Sequence, residues 1–139
     1  MPELPEVTTT VNGLQRVLPS LRISSVWTDL AKKKVSRKDF EHTIKSEKFF
    51  NNFKKLVIGA QVLNVERRAK NILINLNNGY TILIHLKMTG HLIYGDYVYN
   101  KKSNSWLPHK NERASLHDPY NRFVHVVFTL TSPRPSPLK

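Results

Sequence analysis

The sequence predicts an α+β fold that is mainly β, a helix-flanked antiparallel β-sandwich, and the prediction rests on a change of period along 139 residues. Over residues 5–18 and 38–58 apolar residues recur at helical intervals of three and four; from residue 61 they alternate. Between two alternating runs stands Asn77-Asn78-Gly79, a tight hairpin-turn sequence. The length suits one domain with a modest core.

Each element can be justified in order. Val7, Val11, Leu14 and Leu18 put residues 5–18 on one amphipathic helix, which Pro19-Ser20 ends. Residues 22–28 read as a strand. Residues 38–58 read as helix in two pieces, with Phe49, Phe53 and Leu56 on one face and Gly59 at the C-terminal cap. Strands are predicted over 61–69, 71–77, 80–88 and 91–99. In the third of these, Tyr80, Ile82, Ile84, Leu86 and Met88 form an apolar face, and Thr81, Leu83, His85 and Lys87 form the other. Residues 100–121 are polar, contain Pro108 and Pro119, and read as a long loop; residues 123–128 read as a last strand. The domain is expected to end at residue 130. The tail 131–139 holds Pro133, Pro135 and Pro137, whose missing donors bar it from a sheet.

Composition narrows the function. The net charge is +12 and the pI about 10.1. Residues 32–55 hold nine Lys/Arg against three acids, the footprint of a polyanion partner when taken with the whole-chain charge. The individual lysines of that segment also read as a solvated helical face. There is no cysteine, so disulfides and cysteine-ligated zinc are excluded. No apolar run approaches the ~18 residues of a membrane span, and the acidic start is no signal peptide. The expected setting is cytoplasmic and nucleoid-associated, with no membrane partner.

The chain start carries the most chemistry. It reads Met1-Pro2-Glu3-Leu4-Pro5-Glu6-Val7. Once Met1 is removed, Pro2 offers a free secondary amine. An α-amine titrates near ~7.7–8.0, against ~10.4 for lysine, so a useful fraction is nucleophilic at neutral pH. Glu3 and Glu6 lie within one helical turn of it, and an amine beside carboxylates suits Schiff-base chemistry on an aldehyde. Pro5-Glu6 alone is also a plain helix start, with proline and acid favoured in the first turn.

The whole run resembles the N-terminus of the formamidopyrimidine-DNA glycosylase/endonuclease VIII family (Fpg/Nei, MutM), bifunctional base-excision-repair enzymes. Two further segments carry the same resemblance. Val62 to Leu73, with Arg67-Arg68-Ala69-Lys70 at its centre, resembles the family's strand ending in Arg-Arg-Ala/Gly-Lys. His85-Leu86-Lys87-Met88-Thr89-Gly90 resembles its His-Leu-Gly-Met-Ser/Thr-Gly turn.

By that resemblance Pro2 attacks C1′ of a damaged nucleotide, the base leaves, and β,δ-elimination cuts the strand on both sides. Glu3 is then the general acid/base, since an iminium acidifies the adjacent C2′ proton. Glu6 supports Pro2 or is an ordinary first-turn acid. Lys70 contacts a phosphate beside the lesion. Arg67 and Arg68 frame the site or face solvent, and His85 reads equally as a phosphate donor and as a structural residue. Met88 matches the side chain that fills the gap left by an everted base. Lys87 departs from the family's glycine and adds charge near the groove. No metal or other cofactor is implied.

The resemblance covers residues 1–130 and about half of a family protein. The helix-two-turn-helix domain, the four-cysteine zinc finger and the partner intercalating loop have no counterpart in these residues, and the Pro-Arg-Pro-Ser-Pro tail breaks the family pattern. The reading is therefore a base-excision-repair enzyme of the DNA glycosylase/AP lyase type, acting as a monomer on DNA with abasic sites or oxidised bases. In this form it is expected to be an AP lyase with weak or no excision of oxidised purines. The alternative is a non-catalytic DNA-binding module or an inert fragment of a longer glycosylase.

Overall fold

The computed structural model describes residues 4–33, 43–85, 92–95, 97–112, 116 and 124–132. Helix α1 (Leu4–Val17) forms where the apolar period requires it: Val7, Val11, Leu14 and Leu18 are all buried. Each such side chain contributes about 1.5–3 kcal/mol relative to exposure. Glu6 sits in the first turn and Arg16 in the last, both complementing the helix dipole.

Strands β2 (Val62–Arg68), β3 (Asn71–Leu76) and β4 (Thr81–His85) form an antiparallel sheet in chain order. Leu76, Ile74 and Ile72 alternate into the core, and their register partners Val62, Val65, Ile82 and Ile84 share that face. The β3–β4 turn is the expected one. Gly79 takes φ 90, and Leu76 N–H donates to Tyr80 O at 2.9 Å. The face assignment in β4 holds for Ile82, buried, and Leu83, 63% exposed. Tyr80 departs from it: it belongs to the turn and is 51% exposed.

Strand β1 (Arg22–Thr28) pairs antiparallel with β7 (Val126–Thr131). In both β1 and β2 the buried residues are three apart, Ile23 with Val26 and Val62 with Val65, a spacing foreign to a regular strand. Register shifts after Ile23 and after Val62 explain it. Each bulge inserts one unpaired residue and returns the next apolar side chain to the core. The sheets join at a corner, where Ser20 N–H donates to Val62 O, Val62 N–H to Leu21 O and Ile23 N–H to Ala60 O. One apolar cluster, fed by α1, β1, β2, β3, β4 and the second helix, lies between them.

That second helix, α2 (Glu47–Val57), begins at Ser46, whose hydroxyl accepts from Phe49 N–H, and ends at Ile58, followed by Gly59 at φ 91. Of the earlier helical piece, residues 38–42 lie outside the described residues. The buried face is centred on Phe50 and Val57 rather than on Phe49; Phe53 and Leu56 pack partly buried beside them.

The largest departure lies after residue 91. Leu92 to Gly95 are not strand, and β5 is confined to Tyr97–Asn100. The expected loop over 100–121 contains β6 (Ser105–Pro108), which pairs with β5. The intervening turn is built on asparagine chemistry: Asn100 Oδ1 accepts from Lys102 N–H at 3.0 Å, and Asn104 adopts φ 50. Tyr99 and Trp106, opposite each other in register with centroids 5.4 Å apart, meet Trp27 of β1 edge-on at 6.1 and 6.2 Å. Two-stranded hairpins are marginal alone, and this aromatic contact supplies the missing partner. The last strand also shifts, to 126–131, and Thr131 of the expected tail pairs with Arg22. The tail prolines lie outside the described residues.

Candidate functional site

Four of the sequence-predicted residues come together around one turn. Ala69 and Lys70 form the two-residue connection between β2 and β3, closed by the Arg68–Asn71 pair. Ala69 takes φ 53, a left-handed conformation that costs a side-chain-bearing residue about 1–2 kcal/mol. Arg67 Nη1 donates to Ala69 O at 3.0 Å, so one of the predicted framing arginines braces this strained turn. Lys70 follows at its corner, half-buried.

Register separates the remaining cations. Arg67 is paired with Ile72, which faces the core, and therefore sits on the side of the sheet that α1 covers. Arg68, Asn71 and His85 form a row across three strands on the opposite face, with His85 Nδ1 2.9 Å from Asn71 Oδ1. With that oxygen accepting, Nδ1 carries the proton. Nε2 of a neutral ring is then an acceptor, and His85 donates to a phosphate only in its protonated form. Asn71 was missed by the sequence reading, although the hairpin pairing of β2 with β3 would have put it beside Arg68.

The helix start and this turn share one end of the domain. Gln15 Nε2 donates to Val65 O at 2.8 Å, and Ser20 N–H to Val62 O at 2.8 Å. Later residues of the first element thus meet earlier residues of the second, and α1 runs antiparallel to β2. From Gln15 back to Leu4, α1 covers about 16 Å at 1.5 Å per residue. From Val65 on to Lys70, the strand also covers about 16 Å at ~3.3 Å per residue. The positive end of the α1 dipole, with Glu6 exposed in its first turn, therefore lies level with the Arg67–Lys70 turn. Such an end, the positive pole of a helix dipole with adjacent cations, suits an anionic ligand such as a phosphate.

Pro2, Glu3, Lys87 and Met88 lie outside the described residues. Among the described residues, no three His, Asp or Glu side chains gather as metal ligands. A feature the sequence reading passed over is the pair His125 and Asp29, with Nδ1 3.0 Å from the carboxylate, which ties the chain before β7 to the end of β1.

Comparison with known proteins agrees on the family. Residues 1–135 match the model for the formamidopyrimidine-DNA glycosylase N-terminal domain. The formamidopyrimidine-DNA glycosylase of Pelotomaculum thermopropionicum is 36% identical over 132 residues, covering 95% of this chain and 37% of that protein. The protein of the same name from a Caulobacter species is 38% identical over 128 residues, covering 92% of this chain and 38% of that protein. The chain thus spans little more than a third of the length of these relatives. Among solved structures, the Lactococcus lactis protein Fpg (MutM) in complex with DNA containing N7-benzyl-Fapy-dG aligns at a TM-score of 0.49 and 23% identity, over 63% of this chain and 28% of that one. The residues that suggested the family and the match over nearly the whole chain lead to one conclusion: this chain belongs to the formamidopyrimidine-DNA glycosylase family and corresponds to its N-terminal domain.

Proposed function

We propose that this chain is the Schiff-base-forming part of a base-excision-repair enzyme and acts on DNA as an AP lyase. The observation that carries the proposal is the shared end of α1 and the Lys70 turn. Pro2 precedes Leu4 by two residues, a span of at most about 7 Å. Its amine is therefore tethered near the end of the domain where Arg67 and Lys70 cluster.

In this reading Pro2 adds to C1′ of an abasic sugar, water leaves, and an iminium forms. Glu3 removes the acidified C2′ proton, and the 3′ phosphate departs by β-elimination; a second elimination releases the 5′ phosphate. Lys70 holds a phosphate beside the lesion and offsets its charge as it departs. Glu6 complements the helix start and supports the amine. Arg68 and His85 meet the backbone from the other face of the sheet. Lys87 and Met88 stand in the segment that would follow an everted base into the duplex. The working domain runs through β7, one residue past the expected end at 130, and the protein acts as a monomer in the cytoplasm.

Excision of an oxidised purine is expected to be weak or absent. Everting a paired base costs a few kcal/mol, whereas the aldehyde of an abasic site is already exposed. The net charge of +12 favours one other reading, a DNA-binding module without chemistry. Borohydride reduction with an abasic-site oligonucleotide separates the two. A covalent adduct at the stoichiometry of active protein supports the lyase; clean absence, with binding retained, leaves the binding module.

A further inference from the structure

The exposed face of α2 carries a row of side chains that the proposed reaction does not use. Lys48, Asn51, Asn52 and Lys55 are all exposed and recur at the i, i+3, i+4, i+7 spacing of a single helix face. Phe50 and Val57 anchor the opposite side in the core. Lys48 and Lys55 stand two turns apart, about 10 Å along the axis, with two amide donors between them.

No acid interrupts the row. The helix's one carboxylate, Glu47, borders the row, one turn before Asn51 and about 100° round the axis from Lys48. A helix face that is merely solvated usually alternates charge in i,i+4 pairs. Lys48 also stands in the first turn, where the dipole disfavours a cation. Two more exposed cations are fixed at this end: Lys32 N–H donates to Lys45 O and Lys32 O accepts from Glu47 N–H, both at 2.9 Å, which holds Lys32 and Lys33 beside the helix start. At the other end, Asn51, Lys54, Lys55 and Ile58 line a shallow depression.

We infer that this face of α2 grips the phosphate backbone of duplex DNA, as a contact surface separate from the Lys70 turn. The occupant follows from charge complementarity. A row of donors and cations without an acceptor-only group matches a row of phosphates, and the chain as a whole carries a net charge of +12. The inference rests on the DNA-processing reading only for the identity of the polyanion.

The test is the salt dependence of binding to lesion-free duplex by the full chain. Lys48→Gln/Lys55→Gln keeps helix propensity and removes two cations. Each phosphate contact contributes about 0.9 to the slope of log affinity against log salt, so the double variant should lose about 1.8. Lys101→Gln/Lys102→Gln makes the same change of charge in the β5–β6 turn and should lose far less. Lys48→Arg/Lys55→Arg should restore the full slope. Equal losses in the two glutamine variants, or no loss in the α2 variant, would overturn the inference. Borohydride trapping is read on the same proteins. An adduct that forms while the α2 variant keeps its slope defeats the inference and leaves the proposed function standing.

Discussion

The sheet that carries Lys70 and the β5–β6 hairpin are both antiparallel, and they are held by different means. In β2–β3–β4, alternation puts Ile72, Ile74 and Ile82, and one bulge puts Val65, into a core that α1 and α2 close. The hairpin has no such face. Val98 and Leu107 are 53% and 45% exposed, and its order depends on the Trp27–Tyr99–Trp106 contact and on the close approach of Gly95 to Leu116. Trp106 Nε1 is buried without an acceptor among the described residues. The first region tolerates many sequences of the right pattern. The second depends on a few particular side chains. Holding the Lys70 turn in a fixed position favours the first kind of scaffold.

The sharpest way to break this comparison is chemical. An uncleaved extension ahead of Pro2 should abolish borohydride trapping, whereas Pro2→Gly, which keeps a primary amine, should retain weak trapping and Trp106→Ala should leave it intact. A tagged protein that still forms the adduct would move the nucleophile to a lysine. Next in size is Lys70→Ala, expected to slow strand cleavage on the order of 10²-fold. Its cost in non-specific affinity should be one contact, about 0.9 in the salt slope. Comparable losses in cleavage and binding would reduce Lys70 to one phosphate contact among many.

Stability sharpens the same contrast. Ile72→Ala, at a fully buried position of β3, should cost about 2–5 kcal/mol in urea unfolding. Trp106→Ala should cost about 1 kcal/mol for each of its two aromatic pairs and act mainly on amide exchange within the hairpin. A Trp106 loss equal to that of Ile72 would make the hairpin part of the core. Gly95→Ala puts a methyl group 2.6 Å from Leu116 Cδ1 and 2.8 Å from Glu112 Oε2. The overpacking should cost about 1–3 kcal/mol and appear at the hairpin base. The smallest effect has the opposite sign. Ala69→Gly relieves the left-handed strain at φ 53 and should stabilise by about 1 kcal/mol, provided that the turn keeps its form. A melting temperature that falls instead would mean that glycine's extra freedom in the unfolded chain outweighs that strain.

Much of the fold was legible because binary pattern and turn chemistry act locally. Val7, Val11, Leu14 and Leu18 name the buried stripe of α1, and Asn77-Asn78-Gly79 names the β3–β4 turn. Strand β6 was not legible. Ser105–Pro108 becomes a strand only because Trp106 finds Tyr99 across the hairpin and Trp27 on another sheet. Nor were the bulges, since Ile23 with Val26 and Val62 with Val65 show a spacing that in sequence belongs to helices. Of the site, the Arg-Arg-Ala-Lys segment was recognisable as a unit. Its division was not: register sends Arg67 to the α1 side and Arg68, with Asn71 and His85, to the other.

What the sequence determined by itself is the set of side chains available: a proline two residues ahead of a helix, carboxylates beside it in sequence, a lysine in a strand–turn segment, and a strong excess of cations. These are properties of side chains and of their short-range spacing. Only the tertiary structure decided which groups can act together. The antiparallel course of α1 along β2 brings the helix start level with the Lys70 turn, although more than sixty residues separate them in the chain. Helix geometry and core packing likewise turned Lys48, Asn51, Asn52 and Lys55 into one outward row. The physical reason is that apolar period says which face is buried but not against what, and proximity between distant segments follows from the partner that each buried face finds.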